Sequence, residues 1–195
     1  MMKYPIGIQS FDKIIQDGYV YVDKSRLVYD LVHTGTIYFL SRPRRFGKSL
    51  LVSTLKNYFL GRKELFEGLA IEHLETEWAK HPVFHIDFNG DDFTVAGTLE
   101  KKINGMIESW EQIYGRKPVD ASLGERFAYV LQQAHERYGR GAVVLIDEYD
   151  KPILDVLDTG YSSRVDGERM LLEDRHRNIL KAFYSVFKAA DEHLK

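Results

Sequence analysis

Phe39-Leu40-Ser41-Arg42-Pro43-Arg44-Arg45-Phe46-Gly47-Lys48-Ser49 lies between a β-prone run and a helical one, and its last three residues decide how the chain is read. The run-in, Thr36 to Leu40, predicts a short strand. Beyond the loop, Leu51, Leu55, Tyr58 and Phe59 recur at helical spacing until Gly61. Strand, loop and helix thus follow in immediate succession. A loop that cradles phosphate needs small residues where successive N–H groups turn toward anionic oxygens. It also needs a lysine to reach the terminal phosphates and a hydroxyl for magnesium. Gly47, Lys48 and Ser49 supply all three, and the helix starting there adds its positive dipole end. On this reading Arg44, Arg45, Phe46, Gly47, Lys48, Ser49 and Leu50 line the nucleotide. The usual pattern, G-x-x-x-x-G-K-S, has another glycine five positions before Gly47; here that position is Arg42. Arginine enters the positive-φ region at a cost that glycine avoids, although Pro43 would stiffen the loop.

Val143-Val144-Leu145-Ile146-Asp147-Glu148 is the second half of the pattern. It reads as a buried strand delivering two acids at its carboxyl end, where ligands lie in open α/β sheets. Asp147 there would hold magnesium, as Ser49 would. Glu148 would orient or deprotonate the water that attacks a γ-phosphate. Taken alone, the hexapeptide is equally a core strand followed by an exposed acidic turn. Together with Gly47-Lys48-Ser49, about a hundred residues earlier, it predicts a module that binds ATP with Mg2+.

The rest of the chain supplies elements for an α/β fold. A short helix is expected from Phe11 to Gln16 with Ser10 as its cap, then an extended piece over Tyr19 to Val22. Asp23 caps a second helix whose Leu27, Val28, Leu31 and Val32 share a face and which ends at Gly35. Pro82 precedes a strand over Val83 to Phe88. Leu99, Ile103, Met106, Ile107, Trp110 and Ile113 mark one amphipathic helix; Leu123, Phe127, Val130, Leu131 and Ala134 mark another, opened by a Ser122/Glu125 capping box. A loop follows from Pro152 to about Gly167, then a long helix through Leu172, Ile179, Phe183, Val186, Phe187 and Ala190. Apolar runs alternating with helices predict a P-loop NTPase fold with a largely parallel sheet flanked by helices, occupying residues 1–195 as one domain.

Composition narrows the function classes. The chain has 195 residues, 44% of them hydrophobic and 29% charged, with a net charge of −2, so no global electrostatic grip on nucleic acid or anionic membrane is indicated. It has no cysteine, which excludes disulfides, thiolate metal sites and cysteine catalysis. The first residues lack a secretory pattern and no apolar run approaches the roughly 20 residues of a membrane span, so a cytoplasmic location is expected.

Tyr4-Pro-Ile-Gly-Ile-Gln-Ser-Phe11, Tyr21-Val-Asp-Lys-Ser25, the loop from Phe39 to Ser49, and Val144-Leu-Ile-Asp-Glu-Tyr-Asp-Lys-Pro-Ile-Leu154 together resemble the bacterial AAA-ATPase-like proteins. The resemblance covers essentially the whole chain. It implies an ATPase domain with an acidic base beside the magnesium aspartate, and it accounts for Arg42, because the family's loop has the same Ser-Arg-Pro-Arg-Arg-Phe-Gly-Lys-Ser form. It also implies a further sheet strand after the last helix, bearing a γ-phosphate sensor between the loop strand and the acidic strand. A PD-(D/E)xK nuclease-like domain is commonly found towards the C-terminus. On this resemblance the chain is expected to be an N-terminal part, truncated before the sensor strand.

Several residues admit two readings. Arg44 and Arg45 suit phosphate or an exposed loop equally. Asp150 and Lys151 fit a cap or an ion pair better than catalysis. Asp87 ends its strand on the ligand side, either supporting the metal shell or simply closing a turn. His85 shares its face but brings no third ligand. Tyr19 and Tyr21 fit core packing better than an adenine contact, and the charges from Glu168 to Arg177 read as a solvated helix face. Three functions follow: an ATPase driving a C-terminal region, a nucleotide-binding regulatory module with little turnover, or a P-loop kinase. Glu148 and the lack of an arginine-rich lid argue against the kinase.

Overall fold

In the computed structural model, which describes residues 3–41, 46–118 and 120–195, two parallel strands lie between two helical layers. Strands β1 (Val83–Asp87) and β2 (Val143–Asp147) pair in register, from Val83↔Val143 to Asp87↔Asp147. Between them run α4 (Thr98–Tyr114) and α5 (Leu123–Tyr138), the long crossover that a parallel pair requires. Side chains alternate across each strand. Phe84 and Ile86 of β1, with Val144 and Ile146 of β2, pack against α4, α5 and the final helix α7 (Leu172–Ala189). Val83, Val143 and Leu145 face the other way, into a second core with α1 (Phe11–Gln16), α2 (Ser25–Thr34) and α3 (Lys48–Phe59).

The first layer is aromatic at its centre. Phe127 stacks on Trp110 at 5.1 Å and on Phe183 at 5.2 Å, tying α5 to α4 and α7. In the second, Phe11 meets Tyr21 edge-on at 5.2 Å and Phe66 at 4.8 Å. Core packing is therefore the role of Tyr21. The expected box at the start of α5 is formed: Ser122 Oγ accepts from the Glu125 N–H while Glu125 accepts from the Ser122 N–H. Asp23 accepts from the Ser25 N–H at 2.8 Å and with its other oxygen from the Ala70 N–H at 2.7 Å. Its carboxylate thus caps α2 and pins the chain 47 residues on.

The structure corrects the sequence reading in several places. The parallel sheet has two strands among the described residues rather than several. Thr36 to Leu40 is irregular, with Ile37 89% and Phe39 71% exposed, and Tyr19 to Val22 makes only an isolated bridge, Lys3↔Tyr19. A β-prone run becomes a strand only where a neighbour accepts its backbone bonds; among the described residues Thr36 to Leu40 has none, and Tyr19 to Val22 has only the bridge bond from Val20 N–H to the Lys3 carbonyl. The stretch expected as a loop after Pro152 holds a short helix, α6 (Lys151–Leu154), and an antiparallel hairpin of β3 (Ser162–Val165) and β4 (Glu168–Leu171). The charges from Glu168 onward thus begin on a strand, not on a helix face. Ser10 does not cap α1; its hydroxyl donates to Asp12. Leu27 is exposed although Val28 and Val32 are buried, and Gly35 follows α2 in extended backbone rather than as a left-handed stop.

After α7 the chain returns to the sheet. Leu194 bridges Ala142 in parallel, Ala142 N–H donating to His193 O and Lys195 N–H to Ala142 O. The approach is so close that a Cβ on Gly141 would lie 2.6 Å from the Leu194 carbonyl oxygen, and only glycine fits.

Arg126 of α5 and Glu111 of α4 form a buried two-pronged ion pair, Nε to Oε1 at 2.8 Å and Nη2 to Oε2 at 2.7 Å, with Asn104 accepting the remaining prong at 2.6 Å. The hydrogen-bonded guanidinium holds Glu111 below its ordinary value of 4.5. A carboxylate lowered on folding stabilises the protein above its unfolded pKa, and that contribution fades as pH falls through the folded value. Arg126→Ala leaves a buried charge unpaired and should cost about 3–5 kcal/mol. Urea denaturation at neutral pH measures this, and the difference from the parent should shrink in acid.

Candidate functional site

Gly47 takes φ 76°, a left-handed conformation that favours glycine, and stands at the N-cap of α3. Its carbonyl accepts the Leu51 N–H at 3.0 Å, the first bond of the helix. Lys48 and Ser49 then begin α3, half-buried, with free N–H groups behind them. Leu50 turns into the second core, and Phe46 is 65% exposed. Arg44 and Arg45, with Arg42 and Pro43, lie outside the described residues.

Asp147 ends β2 and is buried, in register beside Asp87 at the end of β1. Its Oδ1 accepts the N–H of Glu148 at 3.1 Å. Glu148 itself has φ 52°, left-handed backbone at a non-glycine residue. Such a conformation costs about 1–3 kcal/mol and persists where the surroundings enforce it, commonly at functional sites. Here it turns the chain sharply off the strand into α6. Glu148 is half-buried, so its carboxylate is neither sealed in the core nor fully solvated.

Two contacts relate α3 and the segment entering the loop to β2 and the turn after it. Helix α3 packs against β2 through Leu50, Leu51 and Leu55 in the core shared with Val143 and Leu145. Phe39, in the segment entering the loop, meets Tyr149 edge-on at 5.3 Å, placing the run-in beside the residue after Glu148. Behind the turn, His176 Nδ1 donates to the Pro152 carbonyl at 2.7 Å, fixing α6 to α7. Lys151 pairs with Asp155 and lies 5.4 Å from the Phe93 ring centre. The ion-pair reading of Lys151 therefore holds. Asp150 is the N-cap residue of α6 but makes no side-chain cap; its carbonyl takes that role.

On the α3 side of the sheet, below the two aspartates, lies His85. Burial lowers its pKa and the positive charge of Lys56 on α3 lowers it further, while Asp87 and Asp147 pull the other way. Its Nε2 is buried without a hydrogen-bond partner. No sequence signal points to this orphan atom, to the left-handed Glu148 or to the aromatic pair Phe39–Tyr149. Each depends on which elements meet in space.

The donors present suit magnesium. A serine hydroxyl and an aspartate carboxylate are hard oxygen ligands, and Asp147 commits only one oxygen to the turn. No group of three or more metal-ligating side chains occurs among the described residues. Magnesium at a nucleotide needs none, since it is held by one or two carboxylates together with phosphates and water. No helix of the described residues is long and apolar enough to cross a membrane.

No solved structure matches the chain. It is 43% identical over 195 residues to an uncharacterized protein in the vnfD 5' region of Azotobacter chroococcum mcd 1, covering 99% of this chain and 36% of that one. The chain thus spans about a third of the length of that relative. A family model described as AAA-ATPase-like, predicted AAA-ATPase, matches residues 5–195. With that match over nearly its whole length, the chain belongs to the predicted AAA-ATPase-like family.

Proposed function

We propose that this chain binds ATP with magnesium and is the nucleotide-hydrolysing part of a longer protein. In that protein, hydrolysis would drive a conformational change in a C-terminal region, which in this family commonly includes a nuclease-like domain. The observation that carries the reading is the junction of α3 with β2. One parallel strand ends in Asp147 and Glu148, and the helix packed against it begins with Gly47, Lys48 and Ser49. In this reading Lys48 and the N–H groups at the start of α3 bind the β- and γ-phosphates. Ser49 and Asp147 hold the magnesium, which supplies charge neutralisation when bound. Glu148 takes a proton from the attacking water. Arg44, Arg45, Phe46 and Leu50 complete the proposed loop.

A second reading, a nucleotide-binding module with little turnover, is favoured by one observation. Among the described residues, the segment entering the loop is exposed and pairs with no strand. Charge stabilisation at a γ-phosphate would then be incomplete. Phosphate release separates the two readings, and an acceptor-dependent phosphorylated product would point to a kinase instead.

Titration with labelled ATP, with and without magnesium, tests the binding itself; no binding at millimolar nucleotide overturns the reading. Lys48→Ala should weaken ATP binding roughly 10- to 100-fold, the scale of a lost charged hydrogen bond, with the circular dichroism spectrum unchanged. Equal affinity in the two proteins would remove the loop assignment.

Glu148→Gln should separate binding from hydrolysis. Glutamine keeps the shape but accepts no proton as a carboxylate does, so turnover in a version long enough to hydrolyse should fall roughly 100-fold or more. Magnesium–ATP affinity should hold or rise slightly, since a nearby negative charge is gone. A mutant with the parental rate would show that Glu148 is not the base, and one that loses binding would move Glu148 to the metal or the fold.

A further inference from the structure

Asp87 and Asp147 sit directly opposite each other at the carboxyl ends of β1 and β2. Like charges placed opposite on neighbouring strands destabilise a sheet. Neither aspartate has a cation within ion-pair distance among the described residues. Both project to the α3 side, because residues two apart share a face and the intervening Ile86 and Ile146 point to the other layer. Asp87 has a local use, accepting the Asn89 N–H at 2.8 Å through Oδ1. An asparagine or a serine would close that turn equally well, so the turn does not require the charge. The His85 Nε2 lies on the same face, two residues back, buried and without a partner. Buried polar atoms are nearly always satisfied by protein or by ordered water, so this nitrogen has a bond left to give to water on that face.

We infer that Asp87 is a positioning residue of the magnesium–nucleotide site, acting with His85 on water in the ion's shell beside Asp147. The inference rests on the proposed nucleotide site. Its content is that the second carboxylate of the sheet serves the ion and not only the turn. A divalent cation would relieve the repulsion between the two aspartates, which no ion pair among the described residues relieves. His85 offers its buried, unpartnered Nε2 to that water. Groups of this kind, behind the direct ligands, typically change metal affinity 10- to 100-fold when removed.

The test compares the parent chain with Asp87→Asn and Asp87→Ser, both of which keep an oxygen for the Asn89 N–H. Labelled ATP binding is measured without magnesium and across a magnesium titration, with circular dichroism to confirm folding. The expected result is a magnesium midpoint raised about tenfold in both variants, with magnesium-free ATP affinity unchanged or slightly tighter. A role confined to the turn would leave the midpoint where it is, and an unchanged midpoint in a folded variant overturns the inference alone. A parent chain whose ATP binding does not respond to magnesium overturns the inference together with the site beneath it. His85→Gln should raise the midpoint in the same direction by a smaller factor; an unchanged midpoint there removes His85 from the inference and, with unchanged Asp87 variants, the whole of it.

Discussion

Five in-register backbone pairs between β1 and β2 carry the arrangement of everything else. Parallel pairing sends both strands out of the same edge, so Asp87 and Asp147 emerge side by side. It also demands a long return path, which α4 and α5 provide, and these helices must bury their apolar faces on the sheet they have just crossed. Alternation then sorts the strand residues. Phe84, Ile86, Val144 and Ile146 belong to the α4–α5–α7 layer, and Val83, Val143 and Leu145 to the α1–α2–α3 layer. A shift of one residue in register would move Asp147 out of line with Asp87 and exchange the two layers. The position of α3, and hence of Gly47, Lys48 and Ser49, follows from that sorting.

Elements with strong local signals were legible in the sequence. The helices α4 and α5 carry long 3.6-period faces, and the Ser122/Glu125 box is formed as its spacing requires. Both sheet strands were found because each is a short apolar run buried on both faces. The run Thr36 to Leu40 has the same composition and failed, because strand formation depends on a partner that propensity does not encode. The β3–β4 hairpin was missed for the opposite reason. Its residues are polar and exposed, and its turn at Asp166-Gly167 has left-handed backbone at both positions, the Asp-Gly hairpin signal lying inside a stretch read as loop. Gly47, Lys48, Ser49, Asp147 and Glu148 could be proposed from the sequence, since loop and acidic strand are each contiguous there. Asp87 had a metal-shell reading from the sequence alone, but only the register sets it opposite Asp147.

The two halves of the site are held by different means. The acidic half is built into the first core: β2 is paired, α6 is hydrogen-bonded to His176, and Lys151 lies against Phe93 while paired with Asp155. Such contacts over-determine the backbone at Glu148, and this is the condition under which a left-handed glutamate persists. The loop half rests on α3, anchored by Leu55, Tyr58 and Phe59, and on contacts of the segment entering the loop, Phe39 against Tyr149 and the Tyr38 hydroxyl on the Leu31 carbonyl.

That asymmetry bears on how a nucleotide would act on the protein. A ligand shifts a conformational equilibrium only by the difference in its affinity for the two states. Contacts to Asp147 and Glu148 alone would supply little such difference, because these residues are already fixed by the sheet and by α6. Phosphates bound at the start of α3 would instead draw the exposed segment from Ile37 to Ser41 toward the turn, with Tyr149 as the surface it already touches. If the proposed nucleotide site holds, its energetic lever would lie on the loop side, in ordering a run whose Ile37 and Phe39 stand in water. Burying Ile37 and Phe39 as that run closes would add roughly 1.5–3 kcal/mol for each side chain fully covered, comparable to the coupling free energies by which one site controls another.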